Sequence, residues 1–201
     1  MQQPGETASH KPERRRLSAR FDEALLLATR LHREQLRKAS GVPYVAHLLA
    51  VAALVLEEGA EEDVAIAALL HDAAEDQGGE ATLAAIDEAF GADVARWVRQ
   101  ASDTLERPKP SWTQRKHHHL AAIPGADREA RLIMLADKVH NARSILADHR
   151  RVGREMWTRF NAGREGMVWY YQSLTVVFDR ALAPILYDEL VSCVLLMQEL
   201  D

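Results

Sequence analysis

Two stretches of this chain are apolar on every side of a helix and then end in ionisable groups. Val64 to Leu70 is followed at once by His71 and Asp72 and, after two alanines, by Glu75 and Asp76. Leu132 to Ala136 is followed by Asp137 and Lys138. Alanine and leucine without internal Gly or Pro make helices, and a helix apolar all round is buried on most of its surface. An unpaired charge at the end of such a helix is costly or shifts its pKa, so it needs compensation. On one continuous helix over 61–76, His71 and Glu75 share a face, and Asp72 and Asp76 share the adjacent one. His47, between Ala46 and Leu48, adds a further imidazole. Two imidazoles and two carboxylates, His47, His71, Asp72 and Asp137, suit a divalent transition metal such as Mn, Fe or Zn and disfavour Ca.

The remaining pattern is helical. The spacing predicts helices over 18–38, 43–58, 82–90 and 92–105. Another starts after Ser111, a long one covers 127–150, and two or three more fill 154–200. Gly59, Gly78-Gly79, Gly91, Pro124-Gly125, Gly163 and Pro184 interrupt them. Ser111 with Gln114 three residues on forms a capping box. No stretch alternates as a strand does, so the expected fold is all-α, a compact single-domain helical bundle over 17–201 behind a polar, basic arm over 1–16.

Composition narrows the function. At 201 residues, 47% hydrophobic and 27% charged, the chain can bury a proper core. A net charge of −5 argues against a general nucleic-acid binder. No apolar run can span a bilayer or serve as a signal peptide. A single cysteine, Cys193, set among apolar residues, reads as a buried side chain and suits the cytoplasm.

Three ordered segments carry a resemblance. Arg37-Lys38-Ala39-Ser40-Gly41-Val42-Pro43-Tyr44-Val45-Ala46-His47, Leu69-Leu70-His71-Asp72-Ala73-Ala74-Glu75-Asp76 and Leu135-Ala136-Asp137-Lys138-Val139-His140-Asn141-Ala142-Arg143 resemble the HD-domain metal-dependent phosphohydrolases. Within these, they resemble the hydrolase domain of the RelA/SpoT-homologue family. The sequence departs from the family pattern at Leu48, where Pro is usual, and at the additional Ala39.

The resemblance implies a manganese-dependent 3′-pyrophosphohydrolase of guanosine tetra- and pentaphosphate, of the small stand-alone kind, holding one Mn²⁺ per chain and taking a small nucleotide as substrate, with no nucleic-acid or membrane partner. It implies that His47, His71, Asp72 and Asp137 hold the metal. Glu75 and Asp76 position and deprotonate the attacking water. Arg37, Lys38, Ser40, Lys116, Asn141 and Arg143 contact the nucleotide. Other nucleotides (an adenine alarmone, a nicotinamide dinucleotide phosphate, a deoxynucleotide) and a non-catalytic nucleotide sensor are the alternatives, and the oligomeric state stays open. His117-His118-His119 point about 100° apart on a helix and are expected on a solvated face. Trp169-Tyr170-Tyr171 are expected in the core, with a tyrosine able to stack on a base.

Overall fold

A computed structural model describes residues 16–37 and 40–201. Except for Arg16, the expected N-terminal arm lies outside the described residues, as do Lys38 and Ala39. The described chain forms α1 (Ala19–Leu31), α2 (Val45–Glu57), α3 (Glu62–Leu70), α4 (Ala73–Gln77), α5 (Glu80–Phe90) and α6 (Ala92–Ala101). After these come α7 (Trp112–Ala122), α8 (Arg128–Val152), α9 (Gly163–Val177) and α10 (Pro184–Glu199), with 3₁₀ turns at Ile123–Gly125, Gly153–Arg159 and Arg180–Leu182. No strand occurs among the described residues. A single antiparallel bridge, Leu36 to Pro43, closes the loop between α1 and α2.

The two apolar runs lie at the centre. Every residue from Val64 to Leu70 is buried, and so is every residue from Leu132 to Asp137. α3 packs against α1, α2, α6 and α8, while α8 also carries α10. Such enclosure explains a helix with no polar face: each side meets another helix rather than water. No helix of the described residues is long and apolar enough to cross a membrane.

Local chemistry fixes two of the helix starts. Ser18 caps α1 by accepting from Arg20 N, and Ser111 with Gln114 forms the full capping box on α7. Gly78 and Gly79, at φ 137° and 62°, turn the chain between α4 and α5. A Cβ on Gly78 would meet Thr82 Oγ1 at 2.5 Å, so no other residue fits there.

Three expectations are corrected. The helix predicted over 61–76 is two helices, because the backbone turns at His71 and Asp72. The helix predicted over 18–38 ends at Leu31, leaving Leu36 exposed in the bridged loop. The helix predicted over 92–105 ends at Ala101, where Ser102 is extended. In each case tertiary contacts override a helical composition.

Candidate active site

Four side chains converge where α2, the α3–α4 turn and α8 meet. His47 Nε2 lies 3.2 Å from Asp137 Oδ1 and 3.5 Å from Asp72 Oδ2. His71 Nε2 lies 3.0 Å from Asp72 Oδ2 and 3.8 Å from Asp137 Oδ1. The donor atoms of His47, His71 and Asp137 all fall within 4.8 Å of one another. Asp72 reaches both imidazoles from the side, its own side chain 19% exposed. The turn at His71 and Asp72 aims two successive side chains at one point, which an unbroken helix would set about 100° apart.

The surroundings orient these donors. His71 Nδ1 donates to Ala68 O at 2.8 Å, which directs Nε2 into the site. That Nε2 is buried and, although 3.0 Å from Asp72 Oδ2, is not aligned for a hydrogen bond to it. His47 Nδ1 lies 2.8 Å from His140 Nδ1. Burial, then the neighbouring His47 and Arg37, lowers His140 to about 4, so His140 is a neutral imidazole at neutral pH and fixes the orientation of the His47 ring. Tyr44 donates its hydroxyl to Asp72 Oδ2 at 2.6 Å. Burial first, then the Asp72 charge, drives this phenol far above its usual range, so it stays a donor.

The buried charges of the cluster depend on one another. Burial opposes ionisation of Asp72 and Asp137, yet His71 beside the first and Lys138 beside the second hold both well below the carboxylate range. Burial likewise opposes charge on His71, but Asp72 and Asp137 outweigh it and push its pKa up to about 9. A buried, unpartnered imidazole nitrogen beside two carboxylates is a donor set that fits a divalent metal.

Asp137 is held from both sides. Lys138 Nζ donates to Oδ2 at 2.6 Å, and Asn141 Nδ2 donates to Oδ1. Arg37 Nη2 then donates to Asn141 Oδ1 at 2.7 Å, and its guanidinium lies 5.8 Å from the centre of the Tyr44 ring. From Asp72 a cleft of about 450 Å³ opens past Glu75 and Asp76. Six cations line it: Arg37, Lys109, Arg115, Lys116, Lys138 and Arg159.

Glu75 and Asp76 face this cleft from α4, held by the neighbouring loops. Glu75 accepts from Asp103 N at 2.9 Å and from Lys109 Nζ at 2.8 Å, and Arg107 donates to its backbone carbonyl. Asp76 accepts from Gln35 Nε2 at 2.7 Å, and Lys109 Nζ stands 3.7 Å away. Lys116 pairs with Asp103 at 3.2 Å and lies 5.0 Å from the centre of the Tyr170 ring.

Two expected nucleotide contacts fall elsewhere. Arg143 forms a two-pronged pair with Glu189 of α10 and does not line the cleft. Six residues beyond Asp137, it sits about 240° further round α8. Ser40 is exposed, accepts from Val42 N at 3.4 Å within its own turn, and is also absent from the cleft wall. His117 and His118 are exposed as expected, but His119 is buried; burial, then Lys138 and Lys116, lower it to about 3. Tyr170 and Tyr171 are buried yet line the cleft, and Cys193 is buried.

Other residues of the site were missed. Tyr44 stood in a quoted segment without a role, as did His140. Lys109 and Asp103 carried no sequence signal, because the Glu75 they hold lies 34 and 28 residues away.

Comparison with known proteins identifies the family. A family model described as HD domain matches residues 24–168. The chain belongs to the HD-domain family. This HD domain is 37% identical over 131 residues to human guanosine-3′,5′-bis(diphosphate) 3′-pyrophosphohydrolase MESH1, covering 64% of this chain and 70% of that protein. It is 34% identical over 143 residues to the bifunctional (p)ppGpp synthase/hydrolase SpoT of Escherichia coli, 68% of this chain but 20% of SpoT. A solved structure described as a metazoan ortholog of SpoT that hydrolyses ppGpp superposes with a TM-score of 0.74 at 28% identity, over 89% of this chain and 95% of that chain. A Listeria monocytogenes protein superposes with a TM-score of 0.64 at 31% identity, over 74% and 96%.

Proposed function

We propose that this chain is a manganese-dependent 3′-pyrophosphohydrolase of guanosine 3′,5′-bis(diphosphate) and the corresponding pentaphosphate, yielding GDP or GTP and pyrophosphate. One observation carries the reading: the His/Asp cluster opens into a single cleft walled by six cations, in an HD domain whose relatives bear that activity in their names. Clustered Lys and Arg suit a ligand with several phosphates, Arg as a planar fork and Lys as a point charge.

In this reading His47, His71, Asp72 and Asp137 hold one ion per chain. When bound, the metal supplies Lewis-acid charge that activates water and neutralises phosphate. Glu75 orients the attacking water and accepts its proton; the Asp103 N–H and Lys109 fix the carboxylate. Asp76, fixed by Gln35, holds the water from the other side. The water oxygen joins the 3′ phosphorus, the bond from that phosphorus to the ribose oxygen breaks, and the ribose oxygen leaves with a proton. Lys116 neutralises phosphate, and Arg37 with Asn141 borders the nucleoside; Lys38 joins them by family resemblance. A small nucleotide substrate and a single buried cysteine suit a cytoplasmic enzyme.

The test is turnover of purified protein with Mn²⁺ on guanosine and adenosine 3′,5′-bis(diphosphates), with phosphorus NMR of the products. Pyrophosphate and GDP are expected from the guanosine substrate. Orthophosphate as the sole inorganic product would exclude this reaction in favour of a phosphatase.

A further inference from the structure

The cleft wall has one acidic residue that the proposed chemistry does not use. Asp148 lies on α8, and Asn141, Ser144 and Asp148 follow Asp137 at steps of four, three and four residues, so they share one helix face. All three line the cleft. Eleven residues at 1.5 Å each put Asp148 about 16 Å along the helix from Asp137. A nucleoside therefore fits between the metal-side carboxylate and this second one.

Asp148 is only 7% exposed. Its ion pair among the described residues is a long one, Oδ1 to Arg151 Nη1 at 3.3 Å, with the Arg151 side chain 65% exposed. Charge-assisted N–H···O bonds usually close to about 2.7–2.9 Å, so among the described residues most of the carboxylate's accepting capacity is unspent. An ionised carboxylate accepts and never donates. Beside phosphates it would repel the ligand, so its place in a cationic cleft needs another ligand feature. Leu36, Ile145, Phe160 and Met167 line the same cleft and give an aromatic ring apolar surface.

We propose that Asp148 reads the base of the nucleotide by accepting from adjacent N–H donors, and so sets a preference for guanine over adenine. The proposal rests on the nucleotide reading above. Guanine presents N1–H and N2–H₂ side by side, a match for two carboxylate oxygens. Adenine presents its amino group next to the N1 lone pair, which the carboxylate repels. Hypoxanthine keeps N1–H and lacks the amino group, so it ranks between them.

Calorimetric binding of GDP, IDP and ADP to the full chain and to Asp148→Asn tests this. The native chain should bind GDP more tightly than ADP by on the order of 10- to 100-fold, the range for hydrogen bonds to a charged group, with IDP between. In Asp148→Asn the GDP-to-ADP ratio should fall at least about tenfold, because the amide can both donate to and accept from adenine. The ratio within one preparation does not depend on the fraction correctly folded. A native ratio near one, or a ratio unchanged in the variant, overturns the assignment. Pyrophosphate release by the native chain is measured separately. If release is absent while GDP selectivity depends on Asp148, the enzymatic reading fails and base recognition stands; normal release with an unmoved ratio does the reverse.

Discussion

α3 and α8 are built alike and used differently. Each has a fully buried apolar run that delivers a ligand-type side chain to the same point. α3 stops there: the chain turns at His71 and Asp72 and restarts as α4, so four ionisable residues crowd into six positions. α8 runs straight through Asp137 for fifteen further residues, with Asn141, Ser144 and Asp148 along the cleft. The broken helix concentrates charge at a point, while the continuous one distributes contacts along a ligand. Their compensation differs too. Asp72 takes a neutral hydroxyl from Tyr44 beside its imidazoles, whereas Asp137 takes a buried ammonium from Lys138.

That contrast can be broken most severely at Asp137. Asp137→Ala is expected to lose its metal and, by stranding Lys138, about 3–5 kcal/mol of stability. Asp72→Ala should lose metal as fully at a smaller stability cost, because no buried lysine depends on it. Metal analysis and denaturant unfolding on both variants check this, and equal stability losses would erase the distinction. Next in size is Glu75→Gln, which keeps shape and ligands: turnover should fall by about 10²–10⁴ with metal content intact. Loss of metal instead would make Glu75 a ligand. Tyr44→Phe removes one support of Asp72 and should weaken metal affinity about 10- to 100-fold, read by competition with a chelating dye. The smallest effect is expected at Arg143→Ala. Its pair with Glu189 is 45% and 31% exposed, so stability should change by less than about 1 kcal/mol, and nucleotide KM should not move. A raised KM would return Arg143 to the cleft.

The legible parts of the molecule were those governed by local rules. The Ser111 capping box, the stops at Gly59 and Gly91 and the one-turn step from Asp137 to Asn141 depend only on nearby residues, and all appear in the structure. The break at His71 was hidden because Ala-Ala-Leu-Leu before it and Ala-Ala after it favour helix equally; packing around α3 decides it. His119 was expected in solvent because three consecutive histidines, about 100° apart on a helix, cannot chelate one ion together; the same spacing sends one of the three inward. Glu75's anchors, Asp103 and Lys109, come from a loop that sequence spacing cannot relate to α4.

The uninterrupted course of α8 also bears on how such a cleft can diversify. A helix has no slack: inserting or deleting one residue between Asp137 and Asp148 would swing everything beyond it by about 100° and shift it about 1.5 Å. Asp148 would then leave the wall, and the buried residues behind it would leave the core. Variation on this side is therefore confined to substitutions at fixed length. The loops over 32–44 and 102–110 are constrained only at their anchors, Gln35, Arg37, Tyr44, Asp103 and Lys109, since residues added between such points in a connection cost little closure entropy. Changes of base preference should thus arise as point replacements along α8, and changes in accommodated phosphate length as insertions in the two loops.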